Sequence, residues 1–283
     1  MITQDLVRQR VRNLPSLPTT VVSLGQAVAD ERCTVDRILG ILAKDPPLSA
    51  AMLRIANTAG FAGDNRVSDL RTALQRLGYD AVLNLSRTTA VIRGFRDSKH
   101  LDSILLWQHS VAVALTSKAI CKIQGNRAME ETAFLAGLLH DIGKLALDRC
   151  FTEEYAPVVE AFHGGEFIVD AEQRILGMTH ATVGAMVAEN WNFPPELVDA
   201  IRDHHTPPKD AFLANLVHLA DLMVRTRIPY GPADETLVVA LEELPAFYEV
   251  FKPGKDFDLE RLTFSIDDEL DHAVTFVQLA FKD

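Results

Sequence analysis

The stretch FLAGLLHDIGKLAL, residues 134–147, places a histidine and an aspartate side by side inside an otherwise apolar run. Polar groups that carry charge or bind metals are costly to bury without partners. His140 and Asp141 therefore need partners elsewhere in the chain. The nature of those partners decides whether this run is purely structural or part of a chemical site.

The composition is that of a globular protein with a large apolar core. The chain has 283 residues, of which 48% are apolar, enough for one large domain or two smaller ones. Its formal net charge is −11, with no run of Lys or Arg beyond pairs, so we expect no direct nucleic-acid partner. The cysteines Cys33, Cys121 and Cys150 are scattered and form no CxxC motif, which favours a reducing cytoplasm.

The N-terminal segment MITQDLVRQRVRN, residues 1–13, is charged throughout and lacks the apolar region of a signal peptide. No apolar stretch is expected to approach the roughly 20 residues that a membrane-spanning helix needs. The sequence therefore predicts a cytoplasmic protein with no membrane partner. It makes no prediction about the oligomeric state.

Helical periodicity dominates the chain, and alternating strand patterns are scarce. In residues 34–59, apolar side chains recur at steps of three and four, as on one face of a helix. Thr34 is a candidate N-cap, and the Asp-Pro-Pro segment at 45–47 ends one helix and starts the next. Ser68 and Gly78 are the predicted cap and end of a further helix. We predict an all-α fold.

The polar segment RGFRDSKH, residues 93–100, indicates a boundary or linker. Residues 1–98 are predicted to form an N-terminal helical subdomain, residues 99–228 a second helical subdomain, and residues 229–283 a C-terminal extension with two more helices. Long helices are predicted in the second subdomain at about 103–123, 128–140, 179–190, 195–204 and 210–226.

The candidate partners of the His-Asp pair are further histidines and one aspartate, most of them in apolar sequence. The full set is His109, His140, Asp141, His180, His204, His205 and Asp221. Imidazole and carboxylate together suit Fe, Mn, Ni, Zn or Co better than Mg or Ca. Adjacent residues on a helix project about 100° apart, so Asp141 could face two metal ions while His140 faces one.

Each member of this set also has a structural interpretation. A lone histidine on an apolar helix is most often a hydrogen-bonded core residue. His204 and His205 could interact with a helix C-terminus, where cations are favourable, and Asp221 could pair with Arg225 one turn on. The His-Asp dipeptide alone has a high false-positive rate. Seven such residues in one order favour a metal site.

The order of these residues along the chain also resembles that of a known protein family. His109, His140-Asp141 and Asp221 resemble the metal-ligand quartet of the HD superfamily of phosphohydrolases. The remaining histidines resemble the second-metal ligands of its binuclear branch, which includes the HD-GYP cyclic-dinucleotide phosphodiesterases. Three N-terminal segments resemble the HDOD family, the HD-related output domain of bacterial signalling proteins: LPSLPTTVVSLGQAV at 14–28, ILAKDPPLSAAMLRIANTAGF at 41–61 and LRTALQRLG at 70–78. The similarity runs from about residue 14 to residue 226.

The resemblance implies a multi-helix HDOD and HD-domain-like bundle with two divalent transition-metal ions. Fe or Mn is favoured, and Ni, Zn or Co are alternatives. One ion would be held by His109, His140, Asp141 and Asp221. Asp141 would bridge to a second ion, which the remaining three histidines would hold: His180, His204 and His205. Asp141 would also be catalytic, together with Lys144 of the HDIGK pattern, which could hold a phosphate oxygen or donate a proton.

The sequence departs from the HD-GYP pattern in two places. Only 16 positions separate His205 from Asp221, with no Gly-Tyr-Pro run, so the loop that carries substrate recognition there is absent. Leu105 stands where trinuclear members have a glutamate, so a third metal ion is not expected.

Three functional interpretations follow. The first is a bacterial regulatory module with a binuclear metal pocket, signalling-protein partners and a small nucleotide as a possible ligand. The alternative is a metal-dependent phosphohydrolase or phosphodiesterase that acts on a nucleotide or cyclic dinucleotide. The third is a structural protein whose histidines are core polar groups.

Overall fold

The computed structural model describes residues 1–15, 19–28, 30, 32–57, 66–229, 231–232, 234, 237–251, 273 and 277. These residues contain helices and no strand, so the predicted all-α fold is confirmed. The α-helices are α1 (Gln4–Val11), α2 (Thr19–Val28), α3 (Val35–Leu42), α4 (Pro46–Ala56), α5 (Leu70–Leu77), α6 (Tyr79–Gly94), α7 (Ser103–Ile123), α8 (Glu130–Leu139), α9 (Ile142–Cys150), α10 (Thr152–His163), α11 (Ile168–Leu176), α12 (His180–Asn190), α13 (Pro195–Asp203), α14 (Phe212–Arg225) and α15 (Pro245–Phe251).

Contacts within the chain divide it into two compact units. The first contains residues 15–96, and the second contains residues 1–14 together with the described residues from 97 to 273. The sequence grouped residues 1–14 with the N-terminal subdomain. In the structure α1 packs against α9 and α12 instead, because Val7 and Val11 are buried there and Arg10 stacks on the ring of Phe151.

The helix boundaries of the first unit follow from local capping. The Thr34 side chain accepts a hydrogen bond from the amide of Arg37, and the Asp45 carboxylate accepts one from the amide of Leu48. These side chains satisfy amide groups that the first turn of a helix leaves without partners. The predicted start of α3 and the break at 45–47 are therefore confirmed.

The predicted cap of α5 is off by one residue. The side chain of Asp69, not that of Ser68, accepts a hydrogen bond from the amide of Thr72 at 2.9 Å and a second from the Thr72 hydroxyl. A carboxylate at the helix N-terminus is also favoured by the helix dipole, which a serine hydroxyl is not. Gly78 ends α5 with a φ of +82°, as predicted.

The long helix α7 lies in the interior of the second unit, packed against α8 and α14. With 21 residues it is long and apolar enough to cross a membrane by length and composition, so the expectation that no stretch approaches this length was wrong. However, 67% of its most apolar window is buried inside the protein. An apolar helix of this kind is also what the centre of a helical bundle requires.

The stretch that opened the sequence analysis contains the end of one helix, close to the predicted end at residue 140, and the start of another. Helix α8 ends at Leu139 and α9 begins at Ile142, so His140 and Asp141 lie at the break between them. Helices α10 and α11, which follow α9 and pack on each other, were not predicted.

Two glycines allow the helices that carry these residues to approach closely. A Cβ atom on Gly137 of α8 would lie 2.7 Å from the Cα of Ala114 in α7. A Cβ on Gly143 of α9 would lie 1.9 Å from the carbonyl oxygen of His180 and 2.6 Å from the amide nitrogen of Gly184, both in α12. All three distances are far below van der Waals contact, so only glycine permits this packing.

The two helices predicted in the C-terminal region were not confirmed. A helix was predicted at residues 234–244, DETLVVALEEL. The described part of this segment contains no α-helix and one 3-10 turn at Leu241–Glu243. Helix α15 starts later, at Pro245, because proline suits the first position of a helix and disfavours helical backbone in the residue before it. The second predicted helix, SIDDELDHAVTFVQLAF, lies outside the described residues apart from Ala273 and Val277.

The close approach of α9 and α12 makes Gly143 a sensitive position. We expect Gly143→Ala to lower the free energy of unfolding by about 1–3 kcal/mol or more, because neither backbone can yield to the added methyl group. Gly40→Ala is the matched control, since a Cβ at Gly40 in α3 meets nothing within 4 Å. That change should raise helix stability by roughly 0.5–1 kcal/mol. Urea denaturation of both variants measures the difference, and equal effects would contradict the packing argument.

Candidate metal centre

The seven side chains predicted as metal ligands come together in the second unit. They are buried, except for His205, which is partly exposed. Five regions of the chain supply them. The set consists of His109 from α7, His140 and Asp141 from the α8–α9 break, His180 from the start of α12, His204 and His205 from the residues after α13, and Asp221 from α14.

The first cluster lies between α7, α14 and the α8–α9 break. The Nε2 atom of His109 is 3.0 Å from Oδ1 of Asp221 and 3.2 Å from Nε2 of His140. The Oδ2 atom of Asp141 is 3.3 Å from Nε2 of His140 and 3.7 Å from Nε2 of His109. The ligand atoms of His109, His140 and Asp141 all lie within 4.8 Å of one another, close enough to bind one ion.

The second cluster uses the other oxygen of the same aspartate. Its members His180, His204 and His205 also have ligand atoms within 4.8 Å of one another. The Nε2 atoms of His180 and His205 are 2.9 Å apart. Oδ1 of Asp141 lies 3.1 Å from Nε2 of His180 and 3.9 Å from Nε2 of His204. One carboxylate therefore presents Oδ2 to the first cluster and Oδ1 to the second.

Hydrogen bonds on the far side of three rings determine which nitrogen faces the centre. Nδ1 of His140 is 2.7 Å from the carbonyl oxygen of Gly137, and Nδ1 of His204 is 2.7 Å from that of Ile201. Nδ1 of His180 is 2.7 Å from Oε2 of Glu172. These oxygens can only accept, so each Nδ1 must donate. In the neutral ring, Nε2 then presents a lone pair to the centre.

Lone pairs therefore face a carboxylate oxygen at short range. Nε2 of His180 and Oδ1 of Asp141 are both acceptors in this arrangement, and two acceptors 3.1 Å apart repel each other unless a cation or a proton lies between them. Among the described residues, Nε2 of His204 and Oδ1 of Asp141 have no hydrogen-bond partner. Unpartnered buried acceptors of this kind fit metal ligands.

The histidines differ in their affinity for protons. Burial lowers the pKa of His140, but the charges of Asp141 and Asp221 and the hydrogen bonds to this ring together outweigh burial, so the net pKa is raised above the usual 6.5. Burial also lowers the pKa of His180, and the charge of Glu172 together with hydrogen bonds to Asp141 and Glu172 raises its net pKa above 6.5. Burial, together with His140 and His180, lowers the pKa of His204 to about 3.

The carboxylates remain ionised despite their burial. Burial alone would raise the pKa of Asp141, but the charges of His140 and Lys144 hold it well below its usual value. Burial also opposes ionisation of Asp221, but the hydrogen bond and charge of His109, together with the charges of His140 and Arg225, hold its pKa well below the usual value. Metal ligands must be ionised carboxylates and neutral imidazoles, so the two carboxylates and His204 are already in that state, whereas His140 and His180 would release a proton when an ion binds.

Two cations lie beside the centre. Nζ of Lys144, which is 6% exposed, donates a hydrogen bond to Oδ2 of Asp141 at 2.6 Å. The Arg225 guanidinium lies 3.8 Å from Oδ2 of Asp221 and forms a closer ion pair with Asp234. The structural interpretation of Asp221 as a partner of Arg225 is thus part of the geometry, although His109 is the nearer neighbour at 3.0 Å.

A cavity of about 310 Å³ opens beside the two clusters. One wall is polar and includes His109, Asp141, Lys144, His205, Asp221 and Arg225. An apolar part of the lining comes from α10, from α11 and from the residue preceding α11: Phe162, Phe167, Ile168 and Val169. Asp170 and Asp234 complete the lining. The volume of the cavity lies at the lower end of the range of roughly 300–1,000 Å³ for small-molecule pockets.

Sequence reasoning missed Glu172, which is fully buried and contacts His180. Its side chain falls on the buried face of α11 together with Ile168, Ala171 and Leu176. A glutamate at an apolar-face position was the available signal, and it was overlooked because α11 was not predicted. The cavity wall formed by α10 and α11 was missed for the same reason.

The profile of the HDOD domain matches residues 14–207, more than half of the chain. An HDOD domain protein of unknown function from Geobacter sulfurreducens superposes with a TM-score of 0.83 at 25% identity, covering 99% of this chain and 98% of the other. A proposed phosphohydrolase from Shewanella amazonensis SB2B superposes with a TM-score of 0.76 at 26% identity, covering 97% and 98%.

A sequence relative of undetermined function comes from Treponema pallidum. It is 23% identical over 211 residues, which make up 71% of this chain and 39% of the relative. The chain thus spans about two fifths of the length of this relative.

The opposing pKa shifts lead to a direct test in the metal-free protein. We expect His204 to remain neutral, with its proton on Nδ1, down to about pH 4, while His140 and His180 stay protonated above pH 6.5. Two-dimensional ¹H–¹⁵N spectra of the imidazole nitrogens, recorded from pH 4 to 8 and assigned with single His→Gln variants, resolve these states. A His204 that titrates near pH 6.5 would contradict the described environment.

Proposed function

The chain belongs to the HDOD domain family, and on that basis we propose that it is a bacterial regulatory module of signal transduction built around a two-metal pocket. The observation that carries this proposal is the convergence of imidazole nitrogens on both oxygens of Asp141. Nε2 of His180 lies 3.1 Å from one oxygen, and Nε2 of His140 lies 3.3 Å from the other. Divalent transition metals accept mixed imidazole and carboxylate ligands of this type.

Each cluster would hold one ion, with Asp141 shared between them. The first ion would be held by His109, His140, Asp141 and Asp221, and the second by Asp141, His180, His204 and His205. Iron or manganese is the preferred pair of candidates, with nickel, zinc and cobalt as alternatives. When bound, two such ions neutralise the charge of a phosphoryl group and lower the pKa of a bound water.

The segment between α13 and α14 favours the binding of a small ligand over the turnover of a large substrate. Helix α13 ends at Asp203 and α14 starts at Phe212, so the connection after the two adjacent histidines is short. It offers little chain for a loop that could surround a cyclic dinucleotide. A small nucleotide is the ligand that we propose, with signalling proteins rather than nucleic acids or membranes as partners, in the cytoplasm.

Metal content tests the proposal. We expect protein purified anaerobically with added Mn²⁺ or Fe²⁺ to contain about two ions per chain by elemental analysis. Asp141→Ala should lose both ions, because its two oxygens face the two clusters, whereas His109→Ala should lose one. His163→Ala, a change of an exposed histidine, is the control and should retain both. Wild-type protein without metal under these conditions would contradict the proposal.

A second candidate function is a metal-dependent phosphohydrolase that acts on a nucleotide or cyclic dinucleotide. The cavity favours it, because Lys144 and Arg225 line the polar wall next to Asp141 and Asp221. The Lys144 ammonium could hold a phosphate oxygen or donate a proton to the leaving group. The similarity to the proposed phosphohydrolase from Shewanella amazonensis supports the same chemistry.

Turnover of bis(p-nitrophenyl) phosphate with Mn²⁺ separates the two candidates. If the pocket is catalytic, Lys144→Gln should lower kcat by about 10²-fold or more, since it removes a charged donor that lines the cavity beside Asp141, where a phosphoryl group would bind. Its metal content should not change. Lys122→Gln, an exposed position near the end of α7, serves as the control. No turnover by metal-loaded wild type would leave the regulatory module as the function, and wild-type rates in Lys144→Gln would exclude the proposed role of the lysine.

A further inference from the structure

Glu172 of α11 is a fully buried carboxylate with both oxygens in use. Its Oε2 atom accepts hydrogen bonds from the backbone amide and from Nδ1 of His180, each at 2.7 Å. Its Oε1 atom accepts one from the hydroxyl of Tyr155 in α10 at 2.9 Å. Glu172 and Tyr155 are both 0% exposed. Burial of a carboxylate is costly, so this arrangement must be compensated by what it contacts.

The two clusters differ in the negative charge that they offer directly. The first contains the carboxylates of Asp141 and Asp221, whereas the second shares Asp141 and otherwise consists of imidazoles. The histidines also differ in the group that accepts the hydrogen bond from their Nδ1 atom. His140 and His204 donate to neutral backbone carbonyls, while His180 donates to the carboxylate of Glu172.

We propose that Glu172, held by Tyr155, is the positioning residue that fits the second cluster to bind its metal ion. It keeps the His180 ring oriented with Nε2 facing Asp141, and it supplies from behind the ring the negative charge that this cluster lacks. A carboxylate that accepts the distal N–H of a ligating imidazole makes the other nitrogen a stronger donor. The inference rests on the two-metal pocket proposed above.

Two substitutions of Glu172 separate the effect of its charge from its effect on the orientation of the His180 ring. Glu172→Gln retains an oxygen that can accept both hydrogen bonds from His180 but removes the charge, whereas Glu172→Ala removes both. Co²⁺ is the probe, because its visible spectrum reports the ligands of the bound ion. The binding of Co²⁺ to the second cluster is isolated by making each variant in the full chain with His109→Ala, which disables the first cluster.

We expect the affinity of the second cluster for Co²⁺ to fall by about 10–100-fold in Glu172→Gln and further in Glu172→Ala, with an altered spectrum in both. Tyr155→Phe should also lower the affinity for Co²⁺, by a smaller factor. Glu166→Gln is the matched control. It changes a glutamate that precedes α11 and pairs with Arg174 at the surface, and it should leave the affinity unchanged.

The outcomes distinguish this inference from the proposed function. If Glu172→Gln leaves the Co²⁺ affinity of the His109→Ala chain unchanged, and the wild-type chain binds two ions, the role of Glu172 is overturned and the metal pocket still stands. A wild-type chain that binds no Co²⁺ would overturn both. Because Gln has the same shape as Glu, Glu172→Gln decides the question even if Glu172→Ala does not fold, and circular dichroism verifies its helical content.

Discussion

The buried carboxylate of Asp141 is the constraint on which the second unit depends. An ionised carboxylate in an apolar interior must be surrounded by donors or cations, and here histidines and Lys144 surround it. Supplying those groups requires residues from α7, α9 and α12, and from the segment after α13, to reach one point. The unusually close helix contacts at Gly137 and Gly143 bring two of these helices within that reach.

The orientation of the histidine rings is as important as their proximity. Backbone carbonyls hold two rings and a carboxylate holds a third, so the nitrogen facing the centre is determined before any ligand arrives. A site whose donors are already aligned loses less side-chain entropy when it binds. The cost is that, when the His180 ring is neutral, its Nε2 atom and Oδ1 of Asp141 are two acceptors 3.1 Å apart.

Much of the fold and of the site could be predicted from local sequence signals. Thr34 and Asp45 cap helices through contacts three residues away, so their roles are visible in the sequence. The seven candidate ligands were recognisable because rare residue types recur in apolar surroundings in a family-like order. Glu172 could not be recognised as part of the site, because its partner His180 is eight residues away across a turn. In addition, α11 has the sequence pattern of an ordinary amphipathic helix. The assignment of α1 to the second unit depends on tertiary contacts with Phe151, which local patterns do not report.

The break between α8 and α9 has a thermodynamic consequence. His140 and Asp141 lie between the two helices, and the other five side chains come from four further regions of the unit. An ion bound there would act as a cross-link among segments that are far apart in sequence. By mass action, the folded state would gain about 2.7 kcal/mol when the free ion stands at 100 times its dissociation constant. The lifetime of the folded unit would then follow the supply of metal in its surroundings.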